Sequence, residues 1–200
     1  MNKVIFINWF QTLSNQPIWH HLDTPDNHLY SILKARVLET PLKDEWFKGQ
    51  VSFCNIWHHL NQYGIPKEIV QTQTMHWLST ITLNQDLLSS IQQVRQKGYR
   101  VIIATNHVDI FGCYVYPYLH LENYFDGYIS SAETGFLKTQ QNTTGVYPFF
   151  DSYLKHNQLT YQDCLLIDSS KEVTNIYQRL GMTTVTPSDT QDIINILQKL

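Results

Sequence analysis

Five short segments of the chain have the apolar character and the length of buried β-strands. They cover residues 4–7, 101–105, 127–130, 164–168 and 183–186. Because apolar residues follow one another in most of these segments and do not alternate with polar ones, both faces of each strand should be covered. The pattern therefore predicts a parallel sheet with helices on both sides.

Between the later strands, apolar residues recur at helical spacing. One such stretch spans residues 87–94 and stops at Gly98, a second spans residues 173–180 and stops at Gly181, and a third follows Asp189. Glycine suits the left-handed backbone position that comes after a helix. Since strands and helices alternate, the predicted fold class is α/β with right-handed crossovers.

The segment 15–83 interrupts this alternation because it contains no convincing strand. Helical patterns cover residues 29–37, 47–60 and 66–78, so we predict an all-helical insert at 15–83 within an α/β core formed by residues 1–14 and 84–200. The five tryptophans fall in the first motif and in this insert. We expect them to fill the interface between insert and core, whereas exposed tryptophans would mark a surface for a protein partner.

Composition excludes several classes of protein. The formal net charge is only −3 and no run of lysine and arginine occurs, which argues against a nucleic-acid partner. No apolar segment approaches the roughly 20 residues of a membrane helix. Cys54, Cys113 and Cys164 are widely separated in apolar contexts, so we expect buried, reduced thiols in a cytoplasmic protein. The oligomeric state is left open.

Polar residues stand where the predicted strands end. Asn8 follows the first strand, Thr105 and Asn106 close the second, and Asp168 closes the fourth. In parallel α/β sheets, ligands bind beyond the carboxyl ends of the strands. These side chains are therefore the candidates for chemistry.

The order of these residues resembles the motifs of the haloacid dehalogenase (HAD) superfamily. Its first motif is an aspartate, three residues and Thr-Leu, and here Asn8 precedes Thr12 and Leu13. Its second, third and fourth motifs resemble Thr105 with Asn106, the loop ending in Lys138, and Asp168 respectively. The resemblance implies a three-layer Rossmann-like core, with the insert as a helical cap over the active site.

The sequence departs from this family at the residues that perform its chemistry. The nucleophilic aspartate is replaced by Asn8, a neutral amide, and the general acid and base of the phosphatases is replaced by Phe10. By resemblance, Mg²⁺ would be held by Asn8, the Phe10 carbonyl and Asp168. With one carboxylate in that set, we expect weak binding of the metal, or none.

These departures lead to two hypotheses of function. In the first, ordinary HAD hydrolysis is lost and the protein binds a small anionic molecule or a protein partner, with Thr12, Thr105, Asn106 and Lys138 as the anion-binding residues. In the second, the chain is an active phosphatase or dehalogenase centred on Asp168 and Lys138. A purely structural interpretation assigns Thr105 and Asn106 to helix capping and pairs Lys138 with Asp168 in a salt bridge.

Overall fold

The structure, a computed structural model, describes residues 4–24 and 27–200. Its centre is a five-stranded sheet in which every neighbouring pair is parallel, in the order β3-β2-β1-β4-β5. The strands are β1 (Val4–Ile7), β2 (Arg100–Thr105), β3 (Tyr128–Ser130), β4 (Cys164–Ile167) and β5 (Thr183–Val185). Each lies within two residues of a predicted segment, and the predicted α/β class is confirmed.

Ten α-helices surround the sheet within the described residues. The first four lie between β1 and β2: α1 (His28–Leu33), α2 (Pro41–Phe47), α3 (Phe53–Asn61) and α4 (Lys67–Thr80). The others are α5 (Gln85–Gln96), α6 (Tyr116–Tyr118), α7 (Ser131–Thr134), α8 (Asp151–His156), α9 (Lys171–Arg179) and α10 (Thr190–Gln198). Single π-helical turns, Lys34–Leu38 and Phe111–Val115, extend α1 and precede α6.

Both faces of the sheet are buried, which explains the uninterrupted apolar runs. Alternate strand residues such as Ile5, Ile103 and Ile167 face α5, α10 and the insert. The strand residues next to these in sequence, such as Phe6 and Leu166, lie on the other face of the sheet and pack against α8 and α9. The chain thus has three layers, helix, sheet and helix.

The insert differs from the prediction at its second helix. A single helix was predicted over residues 47–60, but the structure has α2 and α3 separated by a turn at Gly49, whose φ is +65°. A Cβ atom on Gly49 would lie 2.0 Å from the carbonyl oxygen of Ala132, so the turn brings the insert close against α7. Ser52 then starts α3 by accepting a hydrogen bond from the Asn55 amide.

Tryptophans and one carboxylate join the insert to the core. Trp9, Trp19, Trp46 and Trp77 are all buried. Asp109, which follows β2, accepts hydrogen bonds from Trp46 Nε1 at 2.7 Å and from the Phe53 amide, at the start of α3, at 2.8 Å. This position at a helix start also suits a negative charge.

The prediction of three buried thiols was wrong for two of them. Only Cys164, in β4, is buried, and Cys54 and Cys113 are exposed because they lie on the outer sides of α3 and of the π-helical turn. Across the described residues, no helix combines the length and hydropathy needed to span a membrane.

Candidate functional site

The site lies where the chain changes direction along the sheet. From β1 the chain proceeds to β2 and β3 on one side, and β4 and β5 lie on the other. Such a switch point leaves a crevice between the carboxyl ends of the two central strands, here β1 and β4. Asn8 and Asp168 follow those two strands directly, so the topology brings both predicted site residues to this crevice.

Lys138 connects the two strand ends. Its Nζ atom lies 2.5 Å from Asp168 Oδ2, 2.8 Å from Asn8 Oδ1 and 3.0 Å from the Ala104 carbonyl oxygen. Three acceptors, one of them anionic, match the three protons of an ammonium group. Burial lowers the pKa of Lys138, and the Asp168 carboxylate offsets part of that effect.

Two further contacts fix the main chain of Lys138. Its amide donates to Asn106 Oδ1 at 2.9 Å, and its carbonyl accepts a 2.9 Å hydrogen bond from the Tyr177 hydroxyl. Asp168 is held as well, because its Oδ1 accepts from the Ser170 amide at 2.9 Å. The lysine and the carboxylate are therefore each held in place by several protein groups.

The carboxamide of Asn8 is bonded at both ends. Its oxygen accepts from Lys138, while its Nδ2 donates to the Phe10 carbonyl oxygen at 2.7 Å and to Thr12 Oγ1 at 3.3 Å. Turning the amide over would place its NH₂ group against the ammonium group and its oxygen against a carbonyl oxygen. The neighbours therefore fix one orientation of this side chain.

This arrangement does not fit Mg²⁺. A cation at the Phe10 carbonyl oxygen would meet the NH₂ group of Asn8. The side-chain oxygen of Asn8 and the Oδ2 atom of Asp168 already accept hydrogen bonds from Lys138. Magnesium requires near-octahedral oxygen ligation. No cluster of three or more His, Cys, Asp or Glu suited to a metal occurs in the part of the chain that the structure describes.

A polar pocket of about 290 Å³ opens at this point, and we call it the strand-end pocket. Its charged lining residues are Lys138, Asp168 and Glu172, with formal charges of +1, −1 and −1, so their sum is −1. Thr105 is fully buried, and its hydroxyl has no hydrogen-bond partner among the described residues. The other three predicted anion-binding residues, Thr12, Asn106 and Lys138, each make a side-chain hydrogen bond to a protein atom.

A second pocket, also about 290 Å³, lies between the insert and the strand ends, and we call it the insert pocket. It shares Phe10 and Asn106 with the strand-end pocket. Its lining is mainly apolar, and it also includes Lys43 and His107. Besides Phe10, the apolar lining residues are Trp9, Pro17, Ile18, Tyr30, Leu38, Phe47 and Val108.

Two ionisable groups of the insert pocket, Lys43 and His107, were not predicted from the sequence, and His107 is the buried one. Its ring lies 6.4 Å from Trp77 and 5.4 Å from Phe111, centroid to centroid, and its Nδ1 lies 3.2 Å from the Val108 carbonyl oxygen. Burial lowers the pKa of His107 to about 4. The neutral ring donates from Nδ1, which leaves Nε2 as an acceptor.

Tyr177 was missed for a different reason. It was assigned to the apolar face of a helix, and its hydroxyl contact to Lys138 gives no local sequence signal. His107 offered a weak signal, since it directly follows Asn106 at a strand end.

Solved structures with the same architecture were found, although no family model and no curated protein sequence matches the chain. A HAD family enzyme of Bacteroides thetaiotaomicron, an aspartate-to-alanine mutant in complex with magnesium and inorganic phosphate, aligns with a TM-score of 0.71 at 16% identity, covering 94% of this chain and 95% of that one. A predicted HAD-like family hydrolase from Porphyromonas gingivalis has a TM-score of 0.72 at 15% identity, covering 100% and 97%.

A third structure represents the dehalogenases. The L-2-haloacid dehalogenase of Xanthobacter autotrophicus with chloropropionic acid covalently bound has a TM-score of 0.59 at 13% identity, covering 92% of this chain and 76% of that one. At such low identity these likenesses concern the fold. This chain has the fold of the HAD-like hydrolases.

Proposed function

We propose that this protein binds a small molecule at the junction of the insert and the strand ends, and that it lacks the nucleophilic hydrolysis typical of HAD enzymes. The observation that carries the proposal is the state of Asn8. Its carboxamide is neutral, and both of its ends are bonded to protein groups.

The chemistry of the neighbouring residues supports loss of catalysis. A neutral carboxamide oxygen that accepts a hydrogen bond from an ammonium group is a poor nucleophile. Phe10, at the position of the general acid and base, cannot transfer a proton, and such a group typically contributes about 10²- to 10⁴-fold in rate. Lys138 pairs with the carboxylate of Asp168 and donates all three ammonium protons to protein acceptors, so none is available to a substrate oxygen.

The burial of the tryptophans favours a small ligand over a protein partner. Four of the five are no more than 1% exposed, so they fill the contact between insert and core and are not available as anchors on a surface. The fifth, Trp57, is partly buried, with Lys67 Nζ 4.5 Å from its ring centroid. The insert pocket, by contrast, is close to the lower end of the range of about 300–1,000 Å³ for ligand sites.

The proposal is tested by assaying the native chain against phosphate esters and 2-haloacids, with and without Mg²⁺, beside Asn8→Asp and the control Asn175→Asp. Asn175 is exposed on α9, so the control adds the same charge away from the pockets. We expect no turnover by the native chain or the control. Turnover by the native chain that Asp168→Ala abolishes would overturn the proposal.

A second candidate function is active hydrolysis, in which Asp168 and Lys138 form the centre without an aspartate at position 8. The magnesium and inorganic phosphate bound to the Bacteroides enzyme favour this candidate. It requires Asp168 to exchange Lys138 for a metal ion. Calorimetric titration with MgCl₂ distinguishes the two, because the first proposal expects no saturable heat for the native chain.

A further inference from the structure

We infer that the insert pocket binds a small aromatic monocarboxylic acid whose hydroxyl group donates a hydrogen bond to His107 and whose carboxylate lies near Lys43. This inference rests on the proposed function and names the class of ligand. Three features of the pocket carry it, namely its lining, its charge and the acceptor that it presents.

The lining requires an apolar, flat ligand body. Trp9, Phe10, Tyr30 and Phe47 supply aromatic surface, and Ile18 adds an aliphatic wall. Aromatic side chains pack favourably against aromatic rings at centroid separations of about 4.5–7 Å. Phe10, at the position that a proton-transfer group occupies in phosphatases, serves here as part of this wall.

The charge of the pocket selects a monoanion. Lys43 is the charged lining residue, it is exposed, and it makes no ion pair with any residue of 4–24 or 27–200. In the strand-end pocket, Asp168 already neutralises Lys138 and Glu172 adds a negative charge. A phosphate dianion would therefore meet net negative charge at the strand ends. At the insert, one carboxylate matches the single positive charge of Lys43, whose Nζ lies 5.9 Å from the ring centroid of Phe47.

His107 adds a directional requirement. Its Nδ1 faces the Val108 carbonyl oxygen, and the contacts of its ring with Trp77 and Phe111 hold its plane. The remaining Nε2 can only accept a hydrogen bond while the ring is neutral. A ligand that presents a hydroxyl proton satisfies this atom, and one that presents only acceptors does not.

Calorimetric titration with three matched probes tests the inference. These are 4-hydroxyphenylacetate, phenylacetate without the hydroxyl group, and 4-hydroxyphenethyl alcohol without the charge. We expect the first to bind most tightly and each of the others to bind about tenfold more weakly, since one hydrogen bond to or from a charged or well-placed group is worth roughly that factor. Phenyl phosphate should bind more weakly than the carboxylates.

Variants assign each group. Lys43→Met should weaken 4-hydroxyphenylacetate by about threefold to tenfold and leave the alcohol unchanged, while the control Lys97→Met, at an exposed lysine beyond α5, should change neither. His107→Leu should remove the preference for the hydroxylated acid and retain binding of phenylacetate, which also shows that the variant is folded.

The inference is overturned if neither acid binds the native chain, or if Lys43→Met and His107→Leu leave the order of affinities unchanged. Its failure differs from failure of the proposed function, which is judged by turnover of phosphate esters and haloacids. A chain that neither turns over nor binds these acids would refute the ligand class alone.

Discussion

Acidification should destabilise this protein through His107, and the size of the effect follows from its burial. The ring contacts those of Trp77 and Phe111, and burial lowers its pKa from 6.5 to about 4. The Val108 carbonyl and the Asp109 carboxylate both act in the opposite direction, but desolvation is the largest effect. The folded state therefore resists a proton that the unfolded chain accepts readily.

The sign and magnitude follow by linkage. Between pH 6.5 and about 4 the unfolded state binds more protons at His107 than the folded state, so the free energy of unfolding falls as the pH falls through that window. A difference of roughly 2.5 pKa units at about 1.4 kcal/mol each amounts to at most about 3.5 kcal/mol. Above the ordinary histidine pKa this contribution has no pH dependence.

Urea unfolding at pH 7 and pH 4.5 measures the effect. His107→Gln cannot titrate, so it should lose about 2–3 kcal/mol less than the native chain between these two pH values, although packing defects lower its stability at both. His156→Gln, at an exposed histidine, is the control and should behave like the native chain. If His107→Gln shows the native pH dependence, the ring is not buried as described.

Three other substitutions test the arrangement of the site by urea unfolding. Lys138→Met should lower the free energy of unfolding by about 3–5 kcal/mol because it leaves Asp168 buried without a counter-ion. Adding Asp168→Asn should restore most of that stability. If the double variant is no more stable than Lys138→Met, the pairing of these two residues is contradicted. Asp109→Ala should lower the free energy of unfolding by about 2–4 kcal/mol because it leaves two hydrogen-bond donors of the insert unpaired. An unchanged free energy of unfolding would show that these two hydrogen bonds do not hold the insert to the core. Gln11→Gly should raise the free energy of unfolding by about 0.5 kcal/mol, because Gln11 has a φ of +60°, which glycine adopts without strain. A lower free energy of unfolding would mean that the contacts of the Gln11 side chain outweigh the strain in its backbone.

The sheet could be predicted from the sequence because burial on both faces leaves a local signature. β1 and β4 are apolar at every position, and each lies between neighbouring strands and between two helical layers. The helix boundary at Gly49 was missed because the apolar spacing runs on past that glycine, although its positive φ is the same local stop signal as at Gly98. What the sequence could not indicate is the nearby carbonyl oxygen of Ala132, which leaves no room for a side chain there.

In the candidate site, too, some features could be predicted from the sequence and others could not. The rule that ligands bind beyond strand ends identified Asn8 and Asp168, and the resemblance to the third HAD motif added Lys138. The structure places these three side chains in contact. The salt bridge between Lys138 and Asp168 was one of the interpretations of the sequence, and the structure contains it. The contact of Lys138 with the Ala104 carbonyl oxygen could not be predicted, because a main-chain acceptor leaves no signal in the sequence. The predicted roles of Thr105 and Asn106 in binding an anion, and the boundaries of the insert at 15 and 83, stay predictions.

The contacts of Asp109 bear on the kinetics of ligand exchange. One carboxylate just beyond β2 holds an indole of α2 and the first amide of α3, so the insert cannot swing away from the strand ends without breaking both bonds at once. For the ligand proposed for the insert pocket, we therefore expect exchange past exposed lining side chains such as Lys43, with the backbone of the insert at rest. Asp109→Ala, which removes both bonds, should then shorten the residence time of that ligand.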